Sequence, residues 1–328
     1  MTKSTIRVHP SDPDKFKDHF DILFKGILSH RVSKRRLDEI IKDASSNFRM
    51  QSDIRIRELG TALFDLLDGT GGTLRSVMKT ADDEGEDLNL YLDLPPFLDV
   101  LPFEVMFHEG FLTVDHEVSL FRLVNEKEAG KETVLGKRAL KVMFMACSPE
   151  GGDALDFEKE EELILEKTEK LHLNLEVEDS GSLEGLQDMV RGLGGFDVVH
   201  LSGHAGIDDK LGPVFYMEDE VGRVDRVGPK RLRKALKGFL PRILFLSGCS
   251  TGKREPGRDA PSFTEQMVEA GISFVMGWSQ PVMDIGATIL AAHLFEYLSL
   301  GKEIGEAVLM ARQKVSRAEI KFPNLKPE

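Results

Sequence analysis

Residues 198–206 read VVHLSGHAG, and residues 243–252 read ILFLSGCSTG. Each is an apolar run that ends in Ser-Gly and then presents one reactive side chain, His204 or Cys249. A short, nearly continuous apolar run bounded by glycine reads as a strand buried on both faces, the kind found in parallel sheets. Glycine ahead of the reactive residue permits a sharp turn and leaves backbone N–H groups free to face a cleft. If the two strands are neighbours, both side chains emerge at one carboxyl edge, where open α/β sheets bind their ligands.

The surrounding residues repeat this pattern. From residue 138, apolar strands at 139–146, 173–178, 196–203, 242–248 and 272–278 alternate with helices at 156–171, 183–193, 229–239 and 262–270. Two long helices close the chain at 284–300 and 303–318, and 214–227 reads as a hairpin excursion. Strands alternating with helices predict an α/β fold with a mostly parallel sheet covered on both faces. Residues 56–135 read differently, as an amphipathic helix (Ile56, Leu59, Leu63, Leu67) closed by DGTGGT at 68–73. A polar loop at 80–87, a strand at 88–94 stopped by Pro95 and Pro96, and one or two strands within 110–124 follow. Residues 1–55 read as a helical extension: Asp12-Pro13 suits a helix start, and Phe16, Phe20, Leu23, Phe24 and Ile27 follow at helical spacing. The basic stretch at 30–36 reads as a solvated helix face. The expected organisation is therefore 1–55, 56–135 and 136–328.

Composition bounds the function. The 328 residues are 41% hydrophobic and 30% charged, as in a globular chain. Lys+Arg 43 against Asp+Glu 56 leaves a net charge of −13, which argues against direct nucleic-acid or anionic-membrane partners. Two cysteines build no disulfide framework, the opening MTKSTIRVHPSDPDKF carries no apolar signal core, and no apolar run approaches the ~18 residues of a membrane span. A cytoplasmic protein is expected.

The chemistry of the two strand ends is that of a thiol nucleophile and its base. Only the thiolate attacks well, so an adjacent imidazole takes the proton and later returns it to the leaving amine. The resulting oxyanion needs fixed donors, and the backbone N–H groups of Cys249 and of Ala205 or Gly206 are the candidates. Taken singly, a cysteine at a strand end is ordinarily a small buried hydrophobe, and Cys147 keeps that reading. Other uses of 247–254 fail on spacing. A phosphatase loop needs five residues between Cys and Arg, and Cys249 to Arg254 has four. A P-loop needs four between its glycines, and Gly248 to Gly252 has three. His200 sits within the strand and should project into the packed sheet, and no CxxC or HExxH occurs, so neither metal nor cofactor is expected.

At these residues the sequence resembles the CHAT branch of caspase-like cysteine proteases, the clan of separases, metacaspases and gingipains. The likeness runs from about residue 56 to 318. Beyond the two strand ends, it rests on LPFEVMFHEGFLTVDHEVSLFRLV (101–124), MACSP (145–149) and GWSQPVMDIGATILAAHLFEYLSLGKEIGEAVLMARQ (277–313). The resemblance implies a three-layer α/β/α sandwich, a His204–Cys249 dyad, and a divergent non-catalytic half at 56–135. It implies protein substrates, and an upstream activating protease or CRISPR-type effector as a partner, in bacterial antiviral defence or regulated death. It also implies that Asp284, beyond the strand after the cysteine strand, lines a pocket for Arg or Lys; capping of the helix that begins there is the competing role. The loop STGKREPGRDAPS (250–262) holds Lys253, Arg254 and Arg258. It is expected either to be cut there by the enzyme itself, as in a zymogen, or to stay an intact solvated loop. A catalytically silent caspase-fold interaction module is the alternative to a protease.

Overall fold

The chain builds two five-stranded sheets, described in the computed structural model over residues 2–45, 52–124, 138–150, 157–249, 251–253, 260–279 and 282–318. The first sheet begins with β1 (Thr2–Pro10), β2 (His19–Phe24) and β3 (Ile27–Ser33), an antiparallel meander. Helices α1 (Lys34–Ser45), α2 (Asp53–Asp68) and α3 (Thr73–Asp83) follow, then strands β4 (Leu88–Asp93) and β5 (Val118–Arg122). The sheet order is β3-β2-β1-β4-β5, with β1/β4 and β4/β5 parallel.

This corrects the helical extension expected over residues 1–55. Asp12-Pro13 opens a turn rather than a helix: the Asp12 carbonyl accepts from the N–H groups of Lys15 and Phe16, and Asp18 turns the chain with a φ of 62°. Phe20, Ile22 and Phe24 share one face of β2, because a spacing of four satisfies a strand's period of two as well as a helical turn. Lys25 and Gly26, both at positive φ, make the tight hairpin into β3. In the basic stretch, residues 30–33 end β3 and 34–36 begin α1. Ile6, Leu37, Leu59, Phe103 and Leu112 lie in one buried cluster, so a boundary at 55 would cut a single core. The boundary expected at 135 lies outside the described residues. α3 runs through residues 80–83, where a loop was expected, and the chain turns at Gly85 instead.

The second sheet comprises β6 (Leu140–Cys147), β7 (Leu173–Glu178), β8 (Val198–Gly203), β12 (Ile243–Ser247) and β13 (Phe274–Gly277). Its order is β13-β12-β8-β6-β7, and every neighbouring pair is parallel. Successive strand residues face opposite sides. Val199, Leu201, Leu244 and Leu246 pack with α5 (Leu183–Gly192), α6 (Pro229–Ala235) and α7 (Phe263–Glu269). Val198, Ile243 and Phe245 pack with α4 (Phe157–Thr168), α8 (Asp284–Ser299) and α9 (Ile304–Arg317). The result is the three-layer α/β/α arrangement expected from residue 138 onward. Between β8 and α6, the strands β9 (Ala205–Asp208), β10 (Gly212–Glu218) and β11 (Val224–Val227) form a small antiparallel sheet.

The two sheets meet edge to edge through β5, β13 and the start of α9. Ser119 Oγ donates to the Gly305 carbonyl at 2.8 Å, and the Phe121 and Phe274 rings lie 6.2 Å apart. Arg122 ties β5 to the turn before it, bonding both carboxylate oxygens of Glu104 at 3.1 and 2.9 Å. Among the described residues, no helix is long and apolar enough to cross a membrane.

Candidate active site

β8 and β12 pair in parallel from Val198↔Ile243 to Ser202↔Ser247. One step beyond the last pair stand Gly203 and Gly248, and then His204 and Cys249. The glycines are needed by close approach. A Cβ on Gly248 would lie 2.8 Å from the Phe215 ring, 3.0 Å from Ala205 Cβ and 3.2 Å from the Gly203 carbonyl oxygen. The turn carrying His204 therefore lies directly against the turn carrying Cys249. Both residues are half-buried, and the Cys249 thiol is free.

The backbone beyond His204 separates the two donor candidates on that strand. The His204 carbonyl accepts from Tyr216 N–H at 2.9 Å, which makes His204↔Tyr216 a hydrogen-bonded pair. In an antiparallel ladder bonded and non-bonded pairs alternate. Gly206↔Val214 then belongs to the bonded class and Ala205↔Phe215 does not. Ala205 N–H, not Gly206 N–H, points out of the ladder.

After Cys249 the chain is clamped. The 2% exposed Thr251 shares its hydroxyl proton between the carbonyls of Gly248 (2.9 Å) and Leu246 (3.2 Å), and its oxygen accepts from Trp278 N–H (3.1 Å). Gly252 N–H donates to the Trp278 carbonyl at 3.0 Å. Lys253 follows, exposed; Arg254 and Arg258 lie outside the described residues. Further along the chain, Ser262 and Glu265 close a reciprocal capping box that starts α7.

Asp284 is exposed in the first turn of α8, but Met283 occupies the cap position, which corrects the helix-capping role. Acid in that turn suits the helix dipole. Cys147, fully buried and paired in register with Gly203, is a core residue: burial, followed by the charges of Glu218 and Glu178, pushes its thiol well up.

The sequence reading missed a polar cluster one layer below the strand ends. Glu160 of α4 is 2% exposed and accepts from Ser202 Oγ at 2.5 Å, while its other oxygen lies 3.5 Å from His200 Nε2. Burial pushes this carboxyl up to about 7; the Asp284 charge adds to the rise and the Ser202 bond opposes it. His200 is fully buried, stacked on Phe245 at 4.5 Å with the edges of Phe144 and Phe295 around it. Desolvation lowers its imidazole to about 3. The placement of His200 inside the packed sheet was expected from its position in the strand. Nothing local in FEKEEELILEKT distinguishes Glu160 from its solvated neighbours. Among the described residues, no group of three or more His, Cys, Asp or Glu side chains could hold a metal ion.

The family model for the CHAT domain matches residues 57–323, so β1–β3 and α1 precede the matched region. No curated protein matches the chain. Among solved structures, the Arg-specific cysteine proteinase gingipain R (RgpB) is similar at a TM-score of 0.47 and 14% identity. The similarity covers 84% of this chain and 65% of that one.

Proposed function

The chain belongs to the CHAT-domain family, and on that premise we propose that it is a cysteine endopeptidase working through His204 and Cys249. The observation that carries this reading is the parallel pairing of β8 and β12 up to Ser202↔Ser247, with glycines that leave no room between the two reactive turns. The His204 imidazole takes the Cys249 proton, and the thiolate attacks the carbonyl carbon of the scissile bond. The oxyanion is held by the N–H groups of Cys249 and Ala205; loss of one such donor costs on the order of 100- to 1000-fold in turnover. The C–N bond then breaks as the imidazolium protonates the leaving amine, leaving a thioester. A water molecule, deprotonated by His204, hydrolyses it and frees Cys249.

For specificity, we assign Asp284 to the first pocket. It is an exposed carboxylate beyond β13, suited to a charge-assisted bond with Arg or Lys before the scissile bond. The basic loop after Gly252 is the assigned site of self-cleavage, at Lys253, Arg254 or Arg258. Family likeness adds the setting: cytoplasmic cleavage of protein substrates in bacterial defence or regulated death.

A peptide chloromethyl ketone with Arg at its reactive end tests the reading on the intact chain. Wild-type protein should be modified at Cys249, and His204→Ala should be modified far more slowly. Absence of labelling under every condition, with wild type and Cys249→Ala alike, would refute the protease and leave an interaction module.

A further inference from the structure

Glu160 belongs to α4, yet its carboxyl is anchored to β8: Ser202 Oγ donates to one oxygen, and His200 Nε2 stands 3.5 Å from the other. Ser202 and Ser247 are paired across β8 and β12, and His204 and Cys249 follow two residues later, past the strand ends. Alternate residues of a strand share a face. The carboxyl is thus fastened to the last turn of sheet before the two reactive side chains, two residues short of each along the chain. The titratable groups facing it are His200 from β8 and Asp284 from α8. Around His200 stand the rings of Phe144 from β6, Phe245 from β12 and Phe295 from α8. A carboxyl in such apolar surroundings is expensive, and its field reaches further than it would in water. Glu160 is also poised between two charge states near neutral pH.

We propose that Glu160 is a positioning residue of the His204–Cys249 pair: held through Ser202 beneath the end of β8, its carboxylate favours the protonated imidazole and with it the thiolate. The inference rests on the dyad reading. In the neutral form Glu160 holds the strand end without this influence; once ionised, it adds a negative charge below His204.

The test is the rate at which iodoacetamide alkylates Cys249 in the full chain between pH 5.5 and 8.5. Cys249→Ala serves as the blank, since Cys147 is fully buried. Glu160→Gln is close in shape and still offers Ser202 an acceptor. Its rates should match wild type below about pH 6 and fall roughly threefold short above pH 7.5, the factor by which, at an effective dielectric of ~20, attraction for an imidazolium ~8 Å away exceeds repulsion of a thiolate ~12 Å away. Ser202→Ala, which frees the carboxyl from β8, should reduce the same pH-dependent gain and serves if the glutamine variant does not fold. Rates equal to wild type at every pH in Glu160→Gln, while His204→Ala slows alkylation, would overturn the inference alone. If His204→Ala also alkylates at the wild-type rate, the dyad fails and the inference with it.

Discussion

Replacing Glu160 by glutamine should change the shape of the stability–pH curve as well as its height. In the folded chain the carboxyl is pushed from 4.5 up to about 7, mainly by burial. Its contribution is therefore fully present below pH 4.5 and is lost as the pH rises through 7. At ~1.4 kcal/mol per pH unit the loss is about 3 kcal/mol. His200 works the other way. Burial lowers its imidazole from 6.5 to about 3, so its contribution is present above pH 6.5 and is lost as the pH falls through 3. That amounts to about 5 kcal/mol. Between pH 4.5 and 6.5 the two slopes oppose and nearly cancel in wild type. Glutamine removes one of them, so the variant should gain about 2 kcal/mol relative to wild type as the pH rises from 4.5 to 6.5. Urea unfolding of both proteins at several pH values measures the difference, and all other titrating groups drop out of it. A difference that stays constant within about 0.5 kcal/mol across this range would refute the neutral, buried carboxyl.

Three further outcomes are expected. His204→Ala and Cys249→Ala should each abolish peptide cleavage with little change in melting temperature, because both residues are half-buried at strand exits; substantial turnover by Cys249→Ala sinks the mechanism. Asp284→Ala should lower kcat/KM for substrates with Arg or Lys before the scissile bond by roughly 10- to 100-fold, the worth of a hydrogen bond to a charged group, whereas a cleavage profile dominated by Leu, Met or Asp contradicts the pocket. Incubated protein should yield fragments ending at Lys253, Arg254 or Arg258 only when Cys249 is intact, as read by mass spectrometry of the termini; full activity from an uncut chain argues against maturation.

What could be read from the sequence followed the range of the interactions. The parallel sheet was legible because its strands are apolar on both faces, so ALKVMFMA and ILFLSG carry their own assignment. That His204 and Cys249 follow the ends of neighbouring strands was legible for the same reason, with Gly203 and Gly248 as punctuation. The first 33 residues were misread because β1 takes one of its partners from far along the chain, Thr2 pairing with Leu88, and no local pattern reports that. Phe20 and Phe24 then fit a helix as well as a strand. Glu160 was hidden differently: in a helix full of Glu and Lys, only its docking onto β8 makes one carboxylate unlike the rest.

The Thr251 hydroxyl has a mechanical consequence. It binds the end of β12 to the end of β13 two residues after Cys249, and Gly252 repeats the link. A pull applied at Lys253 meets this fastening before it reaches Cys249. A cut at Lys253 or further on would therefore leave Cys249 held between β12 and β13 as before.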